Sequence, residues 1–233
     1  MKFWWPSVRE QAAMANIIKS IKLDHAVLKA YYKIFMGVYV LATLIAIVFK
    51  APVIAIPVVM VVAAPFIIVY FLIYERNNLS KLYGILPLRR SEVVIGRYTY
   101  ALLFGMLNEV FSGILAILLS LILNAGISYL EYLFFFSAGF LYVCLYISIQ
   151  LPLYFRFPFS KVYIFSNLPV YLVAVFLVYL FKKTDFLHPL NQAIQYFSSN
   201  QTILWVITGL GLGLILVMIS GSFSWLIYQK NEL

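Results

Sequence analysis

One cysteine and two histidines are all that 233 residues supply of thiols and imidazoles. Cys144 alone forbids an internal disulfide, and a Cys/His zinc cluster needs more ligands than this chain holds. Charge is scarce too, at 11% of residues, less than half of the roughly 25% typical of a soluble domain. Hydrophobic residues make up 64%, well above the roughly 45–50% of ordinary globular chains. So few polar side chains cannot cover a water-soluble fold of this length, and most of the surface must face lipid. The apolar excess recurs along the whole chain, so a signal peptide does not account for it. A soluble domain is excluded, and an all-α polytopic membrane protein is predicted.

A bilayer core asks for about 20 mainly apolar residues per helix. Stretches of that kind run approximately over Ala30–Phe49, Val53–Tyr74, Tyr98–Leu123, Leu133–Leu153, Ile164–Phe181 and Ile203–Tyr228, which predicts six transmembrane helices. Lipid-facing barrel strands would alternate apolar and polar residues. Runs such as LFFFSAGFLYVCLYISIQL do not alternate, so helices are preferred. Pro57 falls in the opening turn of the second span, while Pro65 should kink it.

Cations orient the bundle. Of 17 Lys and Arg residues, all but Lys50, Lys182 and Lys183 fall on one side of the six-span layout. The positive-inside rule makes that side cytoplasmic, together with both termini. The net charge of +9 is then a lipid-headgroup collar rather than a nucleic-acid surface. No repeat of 20–50 residues and no low-complexity linker divides the chain, so residues 1–233 read as a single membrane domain.

Three extramembrane segments stand out. In the first, residues 7–28, Met14, Ile17, Ile18, Ile21 and Leu28 mark one face of a helix that Lys19 and Lys22 avoid, as an interfacial amphipathic helix should. It serves either as an anchor only or as a collar that also touches a cytoplasmic partner. The second, residues 75–97, reads ERNNLSKLYGILPLRRSEVVIGR, too long for a tight helical hairpin. Leu79, Leu82, Tyr83 and Leu86 have helical spacing, Pro87 breaks it, and Ser91 with Glu92 can start the next helix. Its apolar residues need covering by headgroups or by another protein. In the third, residues 182–201, Leu187, Leu190, Ile194 and Phe197 mark another amphipathic face on the outer side, where His188 reads as interfacial.

Chemistry of the catalytic kind finds little support. There is no GxxxxGK[ST] phosphate loop and no HExxH, and the scattered histidines offer a nucleophile no base. Gly209, Gly211 and Gly213 lie inside an apolar run of spanning length, so Gly209 and Gly213, continued by Gly221, read as close helix packing. Glu109 is the exception. It lies about 18 Å along the third span from Arg97, near mid-membrane, with Gly105, Ser112, Gly113 and Ala116 on its face. An intramembrane carboxylate is a functional candidate by default. The alternative is a structural hydrogen bond to a neighbouring helix, and Asn108 beside it needs a partner as well.

The run from Leu86 to Arg97, LPLRRSEVVIGR, resembles the stretch between the second and third spans of small ABC-2-type permeases. Glu75, Leu86, Pro87, Arg89, Val94, Gly96 and Arg97 occupy that motif's places. The interfacial N-terminal helix and the outer segment before the last span are similar to that family too, and size and aromatic content resemble bacterial peptide exporters. The resemblance implies a non-enzymatic bacterial plasma-membrane permease that pairs with a second copy, as a homo- or heterodimer, and with two ABC ATPase subunits. Those partners, not this chain, would bind ATP and Mg. A coupling helix within 75–97 would dock on the ATPase through Glu75, Leu79, Leu82, Tyr83, Leu86, Pro87, Arg89 and Arg90, and the cargo would be an amphipathic peptide. Two readings of other classes stand beside it: a proton- or ion-coupled carrier using Glu109, and a noncatalytic assembly or immunity protein.

Overall fold

The computed structural model describes residues 8–77, 89–126, 128–168, 170–171 and 202–230. Among them every regular element is a helix: α1 (Val8–Leu28), α2 (Tyr32–Val48), α3 (Ala55–Arg76), α4 (Arg90–Ile122), α5 (Tyr129–Arg156), α6 (Phe159–Ser166) and α7 (Thr202–Lys230), with 3₁₀ turns at Lys29–Tyr31 and Pro52–Ile54. Four of the described segments are long and apolar enough to cross a membrane, Pro52–Arg76, Ser91–Ile122, Tyr129–Arg156 and Ile203–Gln229. The pair Ala13–Leu28 and Tyr32–Val48, bent by 70°, makes up to a fifth. α2 has 17 residues, about 26 Å at 1.5 Å per residue. The expected fifth span, Ile164–Phe181, and the outer segment 182–201 lie largely or wholly outside the described residues.

Local signals explain the element ends. Among the described residues Lys50 and Asn124 are the non-glycine residues with positive φ, at 51° and 49°, and each turns the chain out of a helix. Beyond them the N–H groups of Ala51 and Ala125 return to the carbonyls of Ala46 and Ser120, both at 3.1 Å, the wrapped ending that satisfies orphan carbonyls. Pro52 opens a 3₁₀ turn, where its missing N–H is harmless. α3 continues through Pro65, and α5 through Pro152.

α4 is the hub, packing against α1, α2, α3, α5 and α7. Small residues bring the backbones together: Ala42, Ala46, Ala55, Ala63, Ala64, Ala101 and Ala116 are essentially without exposure. A Cβ at Gly105 would lie 2.5 Å from Val143 Cγ1, and one at Gly213 would lie 3.2 Å from Cys144, which locks α4 to α5 and α5 to α7. Apolar side chains cover the outside, among them Leu107, Phe111 and Leu118 on α4 and Ile207, Leu214 and Met218 on α7. This outward apolar belt is what lipid requires and water forbids.

The face expected on α1 divides. Ile17 and Ile21 are half-buried and Leu28 is buried, but Met14 and Ile18 are exposed. The inner stripe is Asn16, Ser20, Asp24 and Leu28 at four-residue spacing, with Ser20 and Asp24 buried. The helix thus gives its polar side to the protein and part of its apolar side to the surroundings, as an interfacial helix can when the protein supplies hydrogen-bond partners.

Candidate functional site

Polar contacts concentrate where α3 ends and α4 begins, on either side of the 78–88 connection. Glu75, in the last turn of α3, accepts hydrogen bonds from Ser160 Oγ at 2.8 Å and from the Ser160 N–H at 3.2 Å. Ser160 lies in the first turn of α6, whose free N–H groups and dipole favour a carboxylate. On the other side, Glu92 accepts from the Arg89 N–H at 2.9 Å and from Asn16 Nδ2 at 3.1 Å. One carboxylate therefore caps α4 and holds α1. Four residues on, Gly96 lets Ser20 approach so closely that a Cβ would sit 2.8 Å from its Oγ.

Arg97 lies next, 6% exposed. Its guanidinium carbon is 5.1 Å from the ring centroid of Phe71, 4.9 Å from that of Tyr74 and 5.3 Å from that of Phe155. The guanidinium also donates to the Tyr74 hydroxyl, and that hydroxyl is within electrostatic reach of Asp24 on α1 and Tyr228 on α7. The rings continue into one another: Phe71 stacks on Tyr154 at 4.8 Å, Tyr154 on Phe159 at 5.7 Å, and Phe155 meets Tyr228 at 5.3 Å. A cation from α4 is thus held in an aromatic cage built mainly by α3 and α5.

Deeper polar groups join other helices. The Tyr98 hydroxyl is 2.6 Å from Ser220 Oγ and 2.8 Å from Ser224 Oγ, and Ser220 donates to the Ser148 carbonyl at 2.7 Å. A hydroxyl carries one proton, so Tyr98 donates to Ser220 and Ser224 donates to Tyr98, a directed chain across α7, α4 and α5. Tyr146 donates to Asn167 at 2.9 Å. Tyr39 on α2 donates to Asn108 Oδ1 at 3.0 Å, and Asn108 Nδ2 donates to the Phe104 carbonyl at 2.8 Å.

Glu109 sits where α3, α4 and α5 meet and is 1% exposed. The Phe140 backbone N–H donates to the carboxylate, while Oε1 has no hydrogen-bond partner among the described residues. Only the absence of a side chain at Gly139 leaves room for that oxygen, since a Cβ there would be 2.7 Å away. Tyr132 and Cys144 are within electrostatic reach.

The residues singled out from sequence are distributed as follows. Asn108 has the partner it required, in Tyr39, and Glu109 is buried on the face expected for it. Glu75 and Arg89 flank the connection, with Arg89 exposed at the N-cap and Arg90 opening α4. Leu79, Leu82, Tyr83, Leu86 and Pro87 lie outside the described residues. A Cβ at Gly213 would press on α5, one at Gly209 would lie an ordinary 3.9 Å from Ser137 Cβ, and one at Gly221 would meet open space. Gly221 instead lines a cavity of about 410 Å³ between α4 and α7, with Tyr98, Leu102, Val217 and Trp225.

Sequence reasoning passed over the cage and the α1 stripe. Phe71 and Tyr74 are three residues apart, hence on one helical face, and Asn16, Ser20 and Asp24 repeat every four. Both patterns were visible, but nothing in the spacing links either to Arg97.

Apolar helices around a polar-seamed interior define a multi-pass membrane protein. Residues 19–229 match the model of the ABC-2 family transporter proteins, and the chain belongs to that family. It is a membrane transport component, of the permease type that works with an ABC ATPase. No curated protein and no solved structure matches the chain.

Proposed function

We propose that the chain is the permease subunit of an ATP-driven exporter that moves amphipathic peptides outward across a bacterial plasma membrane. On this reading residues 1–233 form a single domain of six spans with both termini cytoplasmic. Two copies, alike or different, pair with two ATPase subunits that bind ATP and Mg. A coupling helix within 75–97 docks on the ATPase, with Leu79, Leu82, Tyr83 and Leu86 in a cleft and Arg89 and Arg90 beside acids or headgroups, while Arg97 stays inside the bundle.

The observation that carries it is the anchoring of both sides of 78–88. Glu75 ties the leading side to α6, Glu92 ties the trailing side to α1, and α4 runs from there through the whole bundle. A displacement of the connection has a mechanical route to every helix that α4 touches.

Burying a leucine is worth roughly 1.5–3 kcal/mol, whereas an exposed ion pair contributes about 0–1 kcal/mol. Leu82→Ser with Leu86→Ser should therefore weaken retention of the co-purified ATPase more than Arg89→Ala with Arg90→Ala. Full ATPase retention by the correctly inserted leucine double variant would remove this segment as the docking site. One observation favours the second reading, an ion-coupled carrier: the Glu109 oxygen without a hydrogen-bond partner among the described residues. Peptide efflux that follows a proton gradient and ignores ATP would establish it instead.

A further inference from the structure

Arg97 is a buried cation, and the buried Asp24 carboxylate lies within electrostatic reach of the same Tyr74 hydroxyl that the guanidinium contacts. A buried ion is expensive to desolvate, and an apolar side chain of similar volume usually packs as well or better. Here the cation lies 6% exposed among rings from α3 and α5. Tyr74 is four residues before Asn78, and Arg97 is nine residues after Leu88. The two sides of the 78–88 connection are thus closed onto one another by a single guanidinium, and the same guanidinium reaches Phe155 on α5.

We propose that Arg97 is a positioning residue for energy transmission: it couples displacement of the 78–88 connection to α5 and so to the opposite end of the bundle. The inference rests on the permease–ATPase reading. A guanidinium suits the task because it stacks on aromatic faces while its in-plane donors remain available, which an ammonium does not do. Without the cation, α3 and α4 would still meet through their small residues and Phe71 would still meet the Tyr154 and Phe155 rings, but the direct link from α4 to Phe155 through the guanidinium would be gone.

The test does not need the cargo. Gly126, in the α4–α5 connection, is exposed and a Cβ there meets open space, so Gly126→Cys is a benign reporter at the far end of α4. The permease is co-purified with its ATPase, reconstituted in lipid, and labelled with a maleimide before and after trapping with ATP and vanadate. In the otherwise unchanged chain, trapping should alter the labelling rate by about fivefold or more, the lower end of ordinary coupling between sites. Arg97→Met should retain the ATPase and its basal hydrolysis and lose the labelling response, with Arg97→Lys in between. An Arg97→Met complex that responds like its parent overturns the proposal. If Arg97→Met does not insert, Phe71→Leu with Phe155→Leu keeps the cation, removes two of its rings, and decides by the same criterion. If the parent itself retains no ATPase, the permease–ATPase reading fails and this inference fails with it.

Discussion

The Glu75 carboxylate and Ser160 make two hydrogen bonds across 85 residues of sequence, one to the Ser160 hydroxyl at 2.8 Å and one to its N–H at 3.2 Å. The acid that the family motif places at the end of the second span is therefore engaged inside the chain, at the first turn of α6. It joins the last turn of α3 to the first turn of α6, just beyond the end of α5.

Helix N-caps contribute about 1 kcal/mol. Glu75→Ala and Ser160→Ala should each lower stability by roughly that amount, and the double variant should lose little more than either single. Glu75→Gln keeps an acceptor for the Ser160 hydroxyl and should fall between. Thermal unfolding in detergent checks this, and full additivity of the two alanine changes would show that the contact does not form in solution.

Glu109 and Gly139 form a second coupled pair. Gly139→Ala drives a Cβ into Glu109 Oε1 and to 3.1 Å from Met60 Cγ, and overpacking of this kind typically destabilises by about 1–3 kcal/mol. Adding Glu109→Ala should recover part of that loss by vacating the space. Glu109→Gln, nearly isosteric, should leave insertion and dimerisation intact and reduce export if the carboxylate works in transport. Unchanged export by Glu109→Gln would confine Glu109 to packing.

Topology is checked by cysteine labelling. On the proposed topology, with both termini inside, cysteines at Asn78 and Asn231 should be protected from an impermeant outside reagent, and one at Ser199 should react. Outside labelling at Asn78 would reverse the orientation and remove the docking argument with it.

Composition and run length by themselves determined the class of this protein. Sixty-four per cent hydrophobic residues leave no aqueous surface, and uninterrupted apolar runs of about 20 residues cannot be barrel strands. The second, third, fourth and last expected spans recur as α3, α4, α5 and α7, because in lipid a backbone must satisfy its own hydrogen bonds within each segment. The motif around Leu86–Arg97 likewise pointed to the family that residues 19–229 match. Spacing within one helix was equally readable, which is why Glu109 could be placed on a small-residue face.

Tertiary structure alone decided which faces meet. Lipid and protein interior are both apolar, so hydropathy cannot say whether Met14 or Leu28 turns inward, and Met14 proved exposed while Leu28 is buried. The same ambiguity hid Gly221, which shares the four-residue spacing of Gly213 but meets open space. It also hid Arg97: counted along the chain it is one more cation of a basic loop, and only the convergence of α3, α4 and α5 surrounds it with Phe71, Tyr74 and Phe155. Pairings between residues far apart in sequence, such as Asn16 with Glu92 or Tyr98 with Ser220, depend on helix rotation and register. Those are set by side-chain packing between helices, and the spacing within either helix does not say which partner it meets.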